Sequence, residues 1–408
     1  MPPLSDRGVA MPASPIRRLM PFAEAAVAQG VKIFHLNIGQ PDIESPAEFW
    51  EAVRNPQYKV LEYSNSIGNV TLRQGVARWY QKIGIDVTAP QLIVTTAGSE
   101  ALRFAMMAAL NPGDEIIVPE PLYANYLGFA VEAGIQVVPI PTRIEENFAL
   151  PATAEFETRI TPRTKAILIC NPSNPTGGVY GQDQLAQLAD LVKKHHLFLL
   201  ADEVYRDFNY TDQPIQSVLQ IAGLEDHAIM VDSVSKRFSL CGARIGFLVS
   251  RNAEIIQAAT KFAQARLSPP MLEQIGVEAA LERTPPAYFQ AIVEEYRGRR
   301  DLLVQRLGAM NGVVCPRIDG AFYAQVRLPI DDADRFCQWM LEEFRHDNQT
   351  VMMAPGTGFY LDSQNGRDEV RIAYVLNQND LGRAMDALHR ALAIYPGRTC
   401  EQSAVASA

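Results

Sequence analysis

Cysteine is scarce. Five occur in 408 residues, Cys170, Cys241, Cys315, Cys337 and Cys400, scattered, odd in number and never in a CxxC pair. That pattern excludes a disulfide framework and a thiolate zinc site, and fits a reducing compartment. The six histidines include one adjacent pair, His195 and His196, but no HxxxH spacing, so no metal is expected. Positive charge is in deficit: 37 Lys and Arg against 46 Asp and Glu give a net charge of −9. Nucleic acid needs a basic face and is not an expected partner. Acidic small molecules would have to be met by individually placed arginines. Long apolar runs are missing as well, so no membrane span is expected. The stretch "MPPLSDRGVAMPASPIRRLM" has no continuous apolar core of a signal peptide. The expectation is a cytoplasmic protein with neither a membrane nor a nucleic-acid partner.

What the chain does have is material for a large core, with 48% hydrophobic residues. Its length favours two domains. Three short apolar runs, "AILIC" (166–170), "LFLLA" (197–201) and "AIMVD" (228–232), start 31 residues apart. They do not alternate, as strands buried on both faces should not. Between the first two lies "DQLAQLADLVKKH", whose leucines recur at helical spacing. Strand–helix–strand units imply a parallel sheet with right-handed crossovers. "LIVTT" (92–96), "EIIVPE" (115–120) and "QVVPI" (136–140) extend the pattern toward the N-terminus. After Pro285 a long charged helix gives way to "GAFYAQVRL", "ADRFCQWMLEEFRHD" and "EVRIAYV", a smaller α+β unit.

Ligands of open parallel sheets sit beyond the carboxyl ends of the strands. "LIVTT" is followed by "AGSEAL", which would free the amides of Ser99 and Glu100 at a helix N-terminus, an anion site. "AILIC" is followed by the turn "NPSNPTGG" with Asn174, "LFLLA" by Asp202, Glu203 and Tyr205, and "AIMVD" by Ser233, Ser235 and Lys236. Singly, each has an ordinary explanation. An aspartate there is usually a helix cap, and a lone lysine is usually a solvated group. Together they suit one chemistry. Pyridoxal 5'-phosphate needs an amine for its aldehyde, an acid beside its ring nitrogen, and hydroxyls, amides and a cation for its phosphate. Arg244 offers the cation as a planar fork.

The stretch "SVSKRFSLCGARIG" resembles the S-x-S-K-x-[FY]-x-x-x-G-x-R-x-G signature of the class I/II (fold type I) pyridoxal-phosphate-dependent aminotransferases, including those like aspartate aminotransferase. "NPSNPTGG" is similar to that family's NPxNPTG loop and "ADEVY" to its Asp-Glu-x-Tyr segment. The likeness runs from "FHLNIGQPD" to "EVRIAYV". It implies a mostly parallel, seven-stranded-type α/β sheet flanked by helices, plus a smaller α+β domain. It also implies a transaminase, probed by three catalytic positions: Lys236 as the residue that bonds the cofactor and moves the proton between Cα and C4′, Asp202 as partner of the ring nitrogen, and Tyr205. Tyr205 and Asn174 resemble the groups that hydrogen-bond the ring's phenolic oxygen. Ser99, Glu100, Ser233, Ser235 and Arg244 resemble the phosphate cup, and Tyr123 the aromatic stacked on the ring. Arg371, Gly39 and Asn174 would line the substrate end, with Arg371 on the α-carboxylate. Tyr63 is similar to a tyrosine that reaches the phosphate of a neighbouring subunit, implying a homodimer with shared sites.

The domain expectation is an N-terminal segment, 1–45, packed with the small domain. A large cofactor-binding domain, 46–290, a small domain, 291–396, and a disordered tail, 397–408, complete the chain. The likeness leaves the substrate open. Ile16 suits an apolar side chain and Arg17 or Arg18 an acidic one, so aspartate, aromatic and aliphatic donors stay in play, with 2-oxoglutarate as the family's usual acceptor. A β-carbon–sulfur lyase with a similar cofactor cup is the alternative, and a non-catalytic cofactor-binding sensor the remoter one.

Overall fold

A computed structural model describes residues 2–56 and 58–399. Residues 400–408 of the expected tail, with Cys400, lie outside the described residues. Twelve strands follow in chain order: β1 (Lys32–His35), β2 (Leu92–Thr96), β3 (Glu115–Glu120), β4 (Gln136–Pro141), β5 (Thr164–Cys170), β6 (Phe198–Asp202), β7 (Ala228–Ser233), β8 (Ile245–Val249), β9 (Tyr323–Arg327), β10 (Gln349–Met352), β11 (Ala354–Pro355) and β12 (Glu369–Ala373). Seven of them form one sheet in the order β2-β8-β7-β6-β5-β3-β4. The three evenly spaced runs are its adjacent centre, β5, β6 and β7, paired in parallel. Only β8 runs the other way, antiparallel to both β2 and β7.

The unbroken apolar runs are explained by cores on both faces. Leu92, Val94, Leu199 and Ala201 pack with the helices Val70–Lys82, Gln182–Lys194 and Met271–Arg283. Their strand neighbours Ile93 and Leu200 point to the opposite face, against helices Ala97–Ala109, Asn125–Ala133 and Ala253–Arg266. Helix Gln182–Lys194 forms where its leucine stripe predicts. The Gln184 side chain accepts the Gly181 N–H at 3.1 Å to close its first turn. Lys193 and Lys194 sit in its last turn, where positive charge suits the helix dipole.

A third core gathers the C-terminal helices Pro286–Gly308, Ala333–Glu342 and Gln378–Ile394 around the antiparallel sheet β11-β12-β9. Leu19, Ala23, Phe34 and Leu36 belong to this same core, and β1 pairs in parallel with β10. The chain's beginning is thus woven into its end, and the cavity described next lies between this core and the large sheet.

Candidate active site

Turns at the carboxyl ends of β2, β5, β6 and β7 converge on one cavity of about 430 Å³. Because β8 is antiparallel, its amino end, preceded by Arg244, reaches the same edge. The cavity is lined by Gly39, Ser99, Tyr123, Asn174, Asp202, Tyr205, Ser233, Ser235, Lys236, Arg244 and Arg371. Tyr63, expected to reach the site of a neighbouring subunit, is 80% exposed and stands outside the cavity of its own chain. One expected residue is elsewhere. Glu100 is committed to structure: its carboxylate accepts the Thr96 N–H at 2.7 Å and pairs with Arg266 at 2.6 Å.

That commitment corrects the expected anion site. The helix begins at Ala97, two residues earlier than the "SEAL" reading, so its partnerless amides shift toward the N-terminus. Glu100 takes the amide of Thr96, and the carbonyl of Arg244 takes that of Ala97 at 3.1 Å. The amides left over at the start of the helix are those of Gly98 and Ser99. Both residues line the cavity. Close approach of β8 makes this possible, because a Cβ at Gly246 would overlap the backbone of Ala97 and Gly98.

At the other end of the cavity Asp202 is buried at the tip of β6. Tyr126 donates its hydroxyl to Asp202 Oδ2 at 2.8 Å, and the Val204 N–H reaches Oδ1 at 3.4 Å. Burial pushes the carboxyl up to about 6, and these two hydrogen bonds restrain the rise. Lys236 stands on the short helix Val234–Arg237 after β7, with its Nζ donating to the Gly39 carbonyl at 2.9 Å. Desolvation lowers its pKa, and the neighbouring Cys241 opposes that. Gly39 has no room for a side chain, since a Cβ would overlap the Tyr323 hydroxyl.

Arg371 is 1% exposed, and its surroundings are unusual for a buried cation. Nη1 donates to Asn174 Oδ1 at 3.1 Å and Nη2 to the Asn37 carbonyl at 2.5 Å. The guanidinium carbon lies 4.7 Å from the Tyr323 ring centroid and 4.9 Å from that of Phe359. No carboxylate among the described residues pairs with it, and its Nε has no partner. Asn174 in turn donates to the Tyr205 hydroxyl at 3.4 Å, which lies 3.0 Å from that of Tyr323. Ser233 and Ser235 hydroxyls are 2.8 Å apart, and Arg244 is held in a left-handed conformation (φ 56°) by the turn before β8.

Sequence reasoning missed Tyr126 and Tyr323. Both sit in apolar periodic segments where a core aromatic is the ordinary reading, and only the fold aims their hydroxyls at Asp202 and Tyr205. It also left Arg17 and Arg18 undivided. Arg18 pairs with Asp334, whereas Arg17, Ile16 and Ile38 line the cavity mouth.

Residues 31–388 match the aminotransferase class I and II family. The chain belongs to that family, and it is an aminotransferase, moving an amino group between an amino acid and a 2-oxo acid. It is 30% identical over 395 residues to an aspartate aminotransferase of Pyrococcus horikoshii, covering 95% of this chain and 97% of the relative. It is 31% identical over 398 residues to aromatic-amino-acid aminotransferase 2 of Thermococcus litoralis, covering 95% and 98%. Among solved structures, a single mutant of Thermus thermophilus aspartate aminotransferase superposes with a TM-score of 0.88 at 32% identity, covering 96% of this chain and all of that one.

Proposed function

We propose that the cavity holds pyridoxal 5'-phosphate on Lys236 and that the enzyme works in two half-reactions, with 2-oxoglutarate as a shared acceptor. The donor set supports this. Free amides at Gly98 and Ser99, two serine hydroxyls and Arg244 are gathered on one side for a phosphate. A buried aspartate stands apart from them for a ring nitrogen. The observation that carries the substrate end is Arg371, a buried guanidinium with no anion of its own among the described residues and with its Nε–H unspent. A bound α-carboxylate would supply the missing charge.

When bound, the cofactor supplies an electron sink for the charge left on the substrate's Cα. The protein's own work is then divided among named residues. Asp202, kept in place by Tyr126, would hold a proton at the ring nitrogen. Asn174 and Tyr205 would hydrogen-bond the phenolic oxygen, and Tyr123 would offer its ring to the cofactor's. Lys236 would move the proton between the substrate's Cα and the cofactor, a role suited to an amine whose pKa is lowered by burial. Arg371 fixes the α-carboxylate, so the Cα–H bond is oriented before reaction. Arg17 at the mouth suits a second carboxylate, and Ile16 and Ile38 suit an apolar side chain. Residues 46–290 would form the cofactor-binding domain and 291–396 the small one. The exposed cluster Tyr58, Val60, Leu61 and Tyr63 suits the interface of a homodimer. No described helix is long and apolar enough to cross a membrane.

Borohydride reduction of the protein with added cofactor tests the central assignment. Peptide mass spectrometry should find the cofactor's mass on the peptide carrying Lys236. Its attachment to another lysine would overturn the assignment.

A further inference from the structure

A second group of charges lies beside the active-site turns, and none of it lines the cavity. It comprises Glu203, Arg206 and Asp207 from the loop after β6, and Asp232 and Arg237 from the turn after β7. Asp232 is fully buried, Glu203 is 1% exposed, Arg237 2% and Arg206 7%. Asp232 Oδ2 accepts from the Tyr80 hydroxyl at 2.8 Å and from Arg237 Nη2 at 2.7 Å. Its Oδ1 accepts the Ser233 N–H at 2.7 Å. Arg206 reaches Glu203 at 2.5 Å and Asp232 at 3.6 Å, and Arg237 Nε lies 2.8 Å from Asp207. Glu203 is held in turn by the Ser217 hydroxyl and the Val218 N–H, at 3.0 and 2.9 Å.

The arrangement has a simple topology. Asp232 and Arg237 flank Ser233, Ser235 and Lys236, so their ion pair closes that turn across its two ends. Arg206 and Asp207 lie just beyond Asp202 and Tyr205. Asp232–Arg206 and Arg237–Asp207 therefore tie the two active-site turns to each other. Buried ion clusters are poor sources of stability, because apolar residues of like volume usually serve as well or better. What such a cluster does offer is a fixed geometry between the elements it joins.

We propose that Asp232 and Arg237, with Arg206 and Asp207, are positioning residues that hold the Asp202–Tyr205 turn and the Ser233–Lys236 turn in one register before any ligand binds. This rests on the roles given above to Asp202 and Lys236. Hydrogen exchange on protein stripped of cofactor tests it without that assumption. In Asp232→Asn or Arg237→Met, amides of 203–207 and of 233–237 should lose protection together, although only one segment carries the substitution. With cofactor restored, kcat should fall about 10- to 100-fold, as for a misplacement near 1 Å. KM for the amino acid, set at Arg371, should move by less than about threefold. Glu115→Gln is the control. It removes the charge that the buried Glu115 offers to the largely exposed Arg163 (2.5 Å) at the start of β3, so it should lower Tm without lowering kcat. Loosening confined to the substituted segment, or a fall in kcat no larger than in the control, would overturn the proposal. If Arg237→Met does not fold, Arg237→Lys is read instead, with smaller losses expected in both segments; wild-type exchange and kcat there would equally overturn it. Failure of the cofactor assignment would show separately, as a wild-type protein without Lys236 attachment.

Discussion

Replacing Arg371 by methionine should separate binding from folding. In the free protein this guanidinium is a desolvated cation that makes two hydrogen bonds and stacks between two rings, with no carboxylate of the described residues in reach. Removing it loses about 1.5–3 kcal/mol for each hydrogen bond to a charged group. It also removes a burial penalty of several kcal/mol for an unpaired ion. These nearly cancel, so the unfolding free energy should stay within about 2 kcal/mol of wild type. Catalysis gets no such offset. Truncating one partner of a buried charge pair costs about 2–5 kcal/mol, which is roughly 30- to 5,000-fold in kcat/KM for the amino acid. Arg371→Lys keeps the charge but not the fork, and should fall between the two. Denaturant unfolding of the cofactor-free protein, and single-turnover kinetics of the donor half-reaction, supply the two numbers. A variant destabilised by more than about 4 kcal/mol, or one that loses cofactor while binding amino acid normally, would make Arg371 a structural residue.

Other outcomes follow from single groups. Asp202 has its pKa raised from 3.8 to about 6 in the folded protein. An acid raised on folding favours the folded state when protonated, so its contribution is full below about pH 4 and is lost as pH rises toward 6. With 1.36 kcal/mol per unit, Asp202→Asn without cofactor should be more stable than wild type by about 3 kcal/mol at pH 8 and no different near pH 3.5. Its transaminase activity should nearly vanish; matching stabilities at pH 8 would contradict the burial argument. Arg17→Ala should lower kcat/KM for aspartate about tenfold or more relative to leucine. Arg18→Ala should leave that ratio unchanged, because Arg18 is spent on Asp334. Equal ratios in both variants would remove Arg17 from the substrate pocket.

Much of the site was legible because its chemistry follows strand ends. Asp202, Ser233 and Lys236 terminate or follow apolar runs whose spacing alone gives adjacent parallel strands, and the structure brings them to one cavity. The antiparallel β8 was not legible. "IGFLV" reads like any other buried strand, and its direction is set by tertiary pairing. A helix boundary shifted by two residues was enough to put Glu100 in the anion site in place of Gly98. Side-chain competition decided that boundary, since Glu100 turns back to take the Thr96 amide. Tyr126 and Asp232 were hidden for another reason. A buried tyrosine or aspartate gives the same sequence signal whether it braces a site or caps a turn.

The most direct measurement is the visible spectrum of the cofactor-loaded protein while single amino acids are added with no acceptor present. Glutamate, aspartate, phenylalanine, leucine and alanine would be compared. The account predicts that at least one donor bleaches the cofactor's long-wavelength band and releases its 2-oxo acid, and that 2-oxoglutarate then restores the band. If no amino acid changes the spectrum in this way, while Lys236 carries the cofactor, the proposed assignment of the cavity to donor and acceptor is wrong.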